Sequence, residues 1–146
     1  MPSEHKLPDL AALRALASKI APLLRTSDCL ALYGDLGAGK TEFARALLRA
    51  RGVAGDVPSP TFTLVQTYDV KGLRISHFDL YRIKLPDELD ELGFDDALAD
   101  GAVIVEWPER AEKRLPADRL ELRFSVAADG ARLCAIEPRG NWQGRL

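Results

Sequence analysis

The chain has few cysteines, no long apolar run and no excess of charge of one sign. Its two cysteines, Cys29 and Cys134, lie far apart and form no C-x-x-C pair, which predicts reduced, buried thiols. No apolar run approaches membrane-spanning length, and the first ten residues, MPSEHKLPDL, hold no apolar signal core. We therefore expect a soluble, cytoplasmic protein that makes no contact with membranes.

The charge balance also limits the kind of partner. The formal net charge is −2, so no global basic field would attract nucleic acid, and any connection with RNA should run through a partner protein. The apolar fraction of 47% in 146 residues is enough for a substantial core. We expect residues 1–146 to form a single domain.

The segment CLALYGDLGAGKT, residues 29–41, carries the strongest signal in the chain. A short apolar run leads directly into GDLGAGKT, the phosphate loop (residues 34–41), which fits the pattern G-x-x-x-x-G-K-[ST] at every fixed position. Glycines let backbone N–H groups turn inward around phosphate oxygens. Lys40 would add a positive charge at the β- and γ-phosphates, and the Thr41 hydroxyl would bind Mg²⁺.

An alternative interpretation of the same segment is an ordinary glycine-rich turn with an exposed lysine. Apolar residues recur at helical spacing after the loop, which favours the strand–loop–helix setting that a nucleotide site requires. The predicted phosphate-binding residues are Asp35, Leu36, Gly37, Ala38, Gly39, Lys40, Thr41 and Glu42.

The rest of the chain alternates between helical and strand patterns. We predict helices over 9–24, 42–51 and 86–92, and strands over 30–33, 61–68, 74–78, 102–105, 120–124 and 133–136. Asp9 is a candidate N-cap, and residues 138–146 form a tail with no clear signal. The order predicts an α/β fold, a three-layer sandwich of the P-loop NTPase type with a centrally parallel mixed sheet and antiparallel additions.

A nucleoside-triphosphate site also needs a carboxylate from the end of a strand near the loop. Glu106 follows the apolar run 102–105, and Asp79 follows the strand pattern 75–78. The apolar run before Glu106 better matches a buried central strand, although either side chain could instead be a strand-end charge or a turn residue.

Three further features have both functional and ordinary interpretations. The segment Ser59-Pro60-Thr61 could sense a γ-phosphate or could simply form a turn. Isolated His77 is more often a structural histidine than a base. The acidic stretch 86–100 is more often a solvated face than a docking surface for a basic partner.

The chain holds no N/T-K-x-D segment of the kind that guanine-specific proteins carry, and its single asparagine is Asn141. Adenine is therefore the expected base, and ATP with Mg²⁺ the expected ligand.

Four blocks in order resemble one bacterial family: GDLGAGKT (34–41), SPTFTLVQTY (59–68), HFDLYR (77–82) and VEWPER (105–110). They resemble the small P-loop ATPase of tRNA threonylcarbamoyladenosine biosynthesis, the TsaE (YjeE) family. The resemblance implies an ATPase that works with two partner proteins, which transfer a threonylcarbamoyl group to tRNA. The protein would therefore contact tRNA only through these partners. Its hydrolysis would reset that complex.

The resemblance also implies roles for particular residues. Thr41 and Glu106 would hold Mg²⁺, and Lys40, Thr61, Asp79 and Glu106 would form the catalytic set. Trp107 lies in the tryptophan motif of the family.

Glu42 departs from the family pattern, in which a second threonine usually follows the loop threonine. In many phosphate-loop proteins that hydroxyl contacts the α-phosphate, whereas a carboxylate there would repel it. We expect Glu42 to turn away and cap the helix, with weaker nucleotide binding as the result.

Two alternative functions belong to other classes. In one, the protein is a nucleotide-gated assembly module, in which ATP binding orders residues 59–68 and hydrolysis is incidental. In the other it is a small-molecule kinase, which the short chain and the lack of an arginine-rich lid segment disfavour.

Overall fold

A single seven-stranded sheet organises the protein. The structure, a computed structural model, describes residues 3–146 apart from the side chain of Glu112. The strand order across the sheet is β1-β7-β6-β2-β5-β4-β3. The strands are β1 (Ser3–Leu7), β2 (Cys29–Tyr33), β3 (Val65–Val70), β4 (Leu73–Asp79), β5 (Ala102–Glu106), β6 (Arg119–Val126) and β7 (Arg132–Arg139).

The centre of the sheet is parallel and its edges are antiparallel. Strands β6, β2, β5 and β4 run parallel to one another, whereas β3 pairs antiparallel with β4, β7 with β6, and β1 with β7. Strand β5 is buried at every position and β2 at all but its last, because helical segments cover both faces there. The predicted α/β architecture is confirmed.

In the described residues the strands are accompanied by four α-helices and three 3₁₀ turns, the last of which follows β7. The α-helices are α1 (Leu10–Ile20), α2 (Lys40–Arg51), α3 (Glu88–Glu91) and α4 (Phe94–Asp100), and the 3₁₀ turns are Ala21–Leu23, Pro108–Arg114 and Gly140–Trp142. Helix α1 begins as predicted, because the Asp9 carboxylate accepts a hydrogen bond from the Ala12 N–H at 2.9 Å. Helix α2 ends at Gly52, whose φ of 119° suits a glycine C-cap.

The core lies on both faces of the sheet. Helices α1 and α2 pack on one face around buried residues such as Ile20, Phe43 and Leu47. On the other face a smaller cluster joins Phe78 to Phe94 of α4, with their ring centroids 5.2 Å apart. Both cysteines are buried and free, as predicted, and burial raises the pKa of each thiol to about 12.

Two of the predicted elements depart most from the structure. The strand predicted over 61–68 begins only at Val65, because residues 60–63 form a turn in which the Leu64 N–H donates to the Pro60 carbonyl at 2.7 Å. The acidic helix predicted over 86–92 is the four-residue helix α3, and a second helix that was not predicted, α4, follows it. Gly93, with φ of 72°, lies between them as the N-cap of α4.

Strand β1 and the structure of the tail were not predicted. Strand β1 is a largely exposed edge strand, and its sequence SEHKL lacks the apolar alternation that identifies a strand. In the tail, Trp142 is fully buried and the Arg145 guanidinium makes two hydrogen bonds to the Asp28 carboxylate, at 3.0 and 2.6 Å. Within residues 3–146, no helix has the length and apolar character needed to span a bilayer.

Candidate nucleotide site

The phosphate loop connects the end of β2 to the start of α2. Gly34, Gly37 and Gly39 all have φ in the left-handed region, at 146°, 81° and 114°. A Cβ on Gly34 would lie 2.7 Å from the Phe124 carbonyl oxygen, so the loop passes β6 too closely for any side chain. The conformation of the loop therefore depends on its glycines, as the sequence pattern predicts.

Lys40, the first residue of α2, lies inside the site with only 5% of its surface exposed. Its ammonium donates a hydrogen bond to the Gly34 carbonyl oxygen, and Nζ lies 3.4 Å from the centroid of the Trp107 ring. Burial lowers the pKa of Lys40 below its usual value, against the opposing effect of nearby carboxylates, Glu106 first among them. The lysine charge is thus oriented and partly desolvated.

Glu106, the last residue of β5, is buried and hydrogen-bonded through both oxygens. The Thr41 hydroxyl donates to Oε1 at 2.8 Å, and His77 Nε2 donates to Oε2 at 2.7 Å. Burial alone would raise the pKa of Glu106, but the hydrogen bonds from His77 and Thr41, together with the charge of Lys40, hold it below its usual value. Glu106 is therefore ionised at neutral pH.

Asp79 supplies a second carboxylate at the same edge of the sheet, since it is the neighbour of Glu106 in the β4–β5 register. The Thr61 hydroxyl donates to Asp79 Oδ2 at 3.2 Å, and the Tyr81 N–H donates to Oδ1 at 3.0 Å. The Ser59 and Thr61 hydroxyls are 2.7 Å apart. This chain of contacts connects the segment 59–61 to the carboxylates.

Two residues other than glycine with positive φ adjoin the site: Leu64, at 70°, and Trp107, at 57°. L-residues with side chains rarely adopt this conformation, and such strain is concentrated at functional sites. The Leu64 carbonyl accepts a hydrogen bond from the Asp79 N–H at 3.0 Å. Trp107 follows Glu106 directly. Its backbone has positive φ, and its indole ring lies against Lys40.

These groups surround a cavity of about 130 Å³ lined by Leu36, Gly37, Gly39, Lys40, Thr41, Glu42, Thr61, Asp79, Glu106 and Trp107. The loop of glycines with positive φ and the buried lysine have the N–H donors that phosphates require. The hydroxyl beside two carboxylates has the oxygen ligands that Mg²⁺ requires. Within the described part of the chain, no three His, Cys, Asp or Glu side chains cluster as a metal cage. Mg²⁺ commonly uses one or two carboxylates and completes its shell with phosphate oxygens and water.

The structure therefore brings together all the predicted catalytic and metal residues: Lys40, Thr41, Thr61, Asp79 and Glu106. Sequence reasoning gave His77 only an ordinary structural role, although its spacing held a clue. His77 and Asp79 are two residues apart on one strand, so they share a face, and Glu106 is in register with Asp79.

The structure also gives Glu42 a partner that the sequence did not indicate. Its Oε1 accepts from the Arg132 guanidinium at 3.0 Å, across to the first residue of β7. The expectation that Glu42 turns away and caps the helix is wrong: no side chain makes a capping hydrogen bond at the described start of α2, and Glu42 lines the cavity with its carboxylate held by an arginine instead.

Comparison with known proteins identifies the family of the chain. Residues 7–134 match the family model described as threonylcarbamoyl adenosine biosynthesis protein TsaE. Proteins named tRNA threonylcarbamoyladenosine biosynthesis protein TsaE are similar to the chain. The one from Rickettsia felis is 40% identical over 84% of this chain and 72% of its own, and the one from Bacillus subtilis is 36% identical over 88% and 80%.

The fold has a counterpart among solved structures. The crystal structure of Bacillus subtilis YdiB is similar, with a TM-score of 0.85 and 28% identity over 99% of this chain and 91% of that chain. The family match covers all four sequence blocks and every residue that lines the cavity. The chain belongs to the TsaE family.

Proposed function

We propose that this protein is a Mg²⁺-dependent ATPase of the machinery that makes threonylcarbamoyladenosine in tRNA. The observation that carries the proposal is the contact between the Thr41 hydroxyl and Glu106 at 2.8 Å, beside the buried Lys40. This contact joins the two Mg²⁺ ligands expected of a phosphate-loop enzyme, although they lie 65 residues apart in the chain.

Each residue has a separate task in this proposal. Lys40 neutralises charge on the β- and γ-phosphates, and the loop N–H groups bind their oxygens. Thr41 and Glu106 hold Mg²⁺, which supplies further neutralisation of phosphate charge. Asp79, fixed by two hydrogen bonds, orients the attacking water, and Thr61 connects that carboxylate to the segment 59–61.

Control by partner proteins is the second part of the proposal. Leu36 in the phosphate loop and Phe62 beside Thr61 are 73% and 79% exposed, and both belong to segments that border the site. We propose that these two side chains form part of a surface that a partner protein covers. We propose two partner proteins that perform the threonylcarbamoyl transfer, with tRNA bound through them in the cytoplasm.

A nucleotide-gated assembly module is the second candidate. The hydrogen bond between Thr61 and Asp79 favours it, because it links the segment that carries the exposed Phe62 to the phosphate site. In this alternative, ATP binding alone would order the segment and create the partner surface. Multiple-turnover hydrolysis that sets the rate of tRNA modification would exclude it.

The first prediction tests the site through Lys40→Ala, with Lys19→Ala as the matched control, since Lys19 is an exposed lysine of α1. Removing a charge-assisted contact of about 1.5–3 kcal/mol should weaken ATP binding at least 10- to 100-fold. Binding is measured by titration calorimetry, and hydrolysis with and without the two proposed partners and tRNA.

Lys19→Ala should leave both properties unchanged. A Lys40→Ala protein that binds and hydrolyses ATP as the wild type does would show that the site is wrongly assigned.

A further inference from the structure

We propose that His77 is a positioning residue of the nucleotide site, which holds the Glu106 carboxylate in the orientation that binds Mg²⁺. This inference rests on the proposed function and adds to it a residue that acts through Glu106 alone. The contact that carries it is the hydrogen bond from His77 Nε2 to Glu106 Oε2 at 2.7 Å, between two buried side chains.

Strand β4 places His77 directly beneath the site. Alternate residues of a strand share a face, so His77 lies between Ile75 and Asp79 on one face of β4. Ile75 belongs to the core that packs against α1 and α2, whereas Asp79 lines the phosphate cavity. The imidazole is fully buried. His77 therefore connects the apolar core to the carboxylate edge of the sheet.

The Glu106 carboxylate is held at two points by two different elements. Thr41 at the start of α2 donates to Oε1 at 2.8 Å, and His77 of β4 donates to Oε2. One hydrogen bond leaves a carboxylate free to turn about that contact, whereas two fix its plane. Because His77 occupies Oε2, Oε1 stays beside Thr41, the other proposed Mg²⁺ ligand. Hydrogen-bond partners commonly orient metal ligands in this way.

The hydrogen bond to Glu106 is the sole polar contact of the His77 side chain within the described residues. The other ring nitrogen, Nδ1, is buried without a hydrogen-bond partner. An unpaired buried nitrogen lowers folding stability, so an apolar side chain would suit a purely structural position better. The presence of an imidazole here is therefore explained by its contact with Glu106.

A structural histidine is the ordinary alternative. Replacing it would change the melting temperature and would leave the effect of Mg²⁺ on nucleotide binding as it is in the wild type. Loss of positioning has a different result. The released Glu106 carboxylate would turn towards the Lys40 ammonium, whose charge already acts on it, and away from Thr41. Mg²⁺ would then tighten nucleotide binding less.

The test compares His77→Gln with His77→Asn. The amide nitrogen of glutamine is the same number of bonds from Cβ as Nε2 of histidine, so it can donate to Glu106, whereas the asparagine amide is too short. Titration calorimetry measures the dissociation constant of a non-hydrolysable ATP analogue in EDTA and in saturating Mg²⁺. The ratio of the two constants should fall about 10- to 100-fold in His77→Asn and should stay close to the wild-type ratio in His77→Gln. Affinity in EDTA should change little in either variant.

Ser76→Ala is the matched control, since Ser76 is a buried polar residue of the same strand whose hydroxyl lies 3.3 Å from that of Thr67. Its ratio should equal that of the wild type. An unchanged ratio in His77→Asn, or equal losses in His77→Asn and either His77→Gln or Ser76→Ala, would overturn the inference and leave the proposed function intact. A wild-type protein whose nucleotide binding Mg²⁺ does not tighten would instead overturn the proposed function and, with it, the role of His77.

A measurement on the wild type tests the same contact without any variant. The chain has two histidines, His5 and His77, so proton–nitrogen NMR spectra of the imidazoles are readily assigned. The Nε2–H of His77 should be protected from exchange with solvent both in the free protein and in its complex with Mg²⁺ and the analogue, because Glu106 retains it. Loss of this protection in the complex would show that the contact breaks when the site is filled, and the inference would be wrong.

Discussion

Two buried glutamates on either side of β2 differ in what surrounds them. Glu106 on β5 is 2% exposed and Glu121 on β6 is 1% exposed. Burial acts to raise the pKa of both carboxyls, and partners hold both pKa values below the usual range. Glu106 is paired in register with Leu32 and Glu121 with Ala31, so the two side chains lie on opposite faces of the sheet.

The partners of the two glutamates distinguish Glu121, a structural carboxylate, from Glu106, a candidate metal ligand. Three arginines bind Glu121: Arg119 at 2.8 Å, Arg123 at 3.0 Å and Arg139 at 2.9 Å. These permanent positive charges neutralise the Glu121 carboxylate and would repel a metal cation. The hydroxyl partner of Glu106, Thr41, can share a metal with it. Burial and a lowered pKa alone therefore do not identify a functional carboxylate. The groups that contact the carboxylate distinguish a structural role from metal binding.

The largest effect that would sharpen this comparison is expected from Glu106→Gln. The amide keeps the size of the side chain but removes the charge that would hold Mg²⁺, so Mg²⁺-dependent ATP turnover should fall about 100-fold. Turnover is measured at saturating ATP over a series of Mg²⁺ concentrations. The matched variant Glu121→Gln should stay within about twofold of the wild type, and equal losses in both variants would contradict the distinction drawn here.

In folding stability we expect a smaller contrast of the opposite kind, in which Glu121→Gln has the larger effect. Glu121→Gln leaves three arginines around a neutral amide and should lower the free energy of unfolding by about 1–3 kcal/mol. Urea denaturation of the nucleotide-free protein measures it, with ATP affinity as the second readout. A Glu121→Gln protein of unchanged stability but weakened ATP binding would reverse the assignment of the two glutamates.

The smallest expected effect is the pH dependence of that stability difference. The folded-state pKa of Glu121 lies below its ordinary value of 4.5, so its ionised form stabilises the fold above that pH. The difference between wild type and Glu121→Gln should be constant from pH 7 to about 5 and should shrink as the pH falls below about 4.5. Unfolding measured in this range checks the sign, and a difference that grows on acidification would contradict it.

Sequence patterns predicted the phosphate loop and the two carboxylates because each depends on short segments. The Asp9 cap, the loop glycines and the Gly52 helix end follow from local dihedral and hydrogen-bonding preferences. Strand β1 was not predicted, because an exposed edge strand needs no alternation of apolar residues. The beginning of β3 was misplaced because the turn at residues 60–63 is held by contacts with the site, among them the hydrogen bond from Thr61 to Asp79.

The sequence by itself determined that a glycine-rich loop lies between a buried strand and a helix, since glycine spacing and apolar periodicity act over a few residues. Only the tertiary structure decided which distant groups meet there. His77 with Glu106, and Arg132 with Glu42, come together through strand order and register. Strand order and register depend on the packing of the whole sheet, because a shift of one residue in the pairing of a strand would turn all of its side chains to the opposite face.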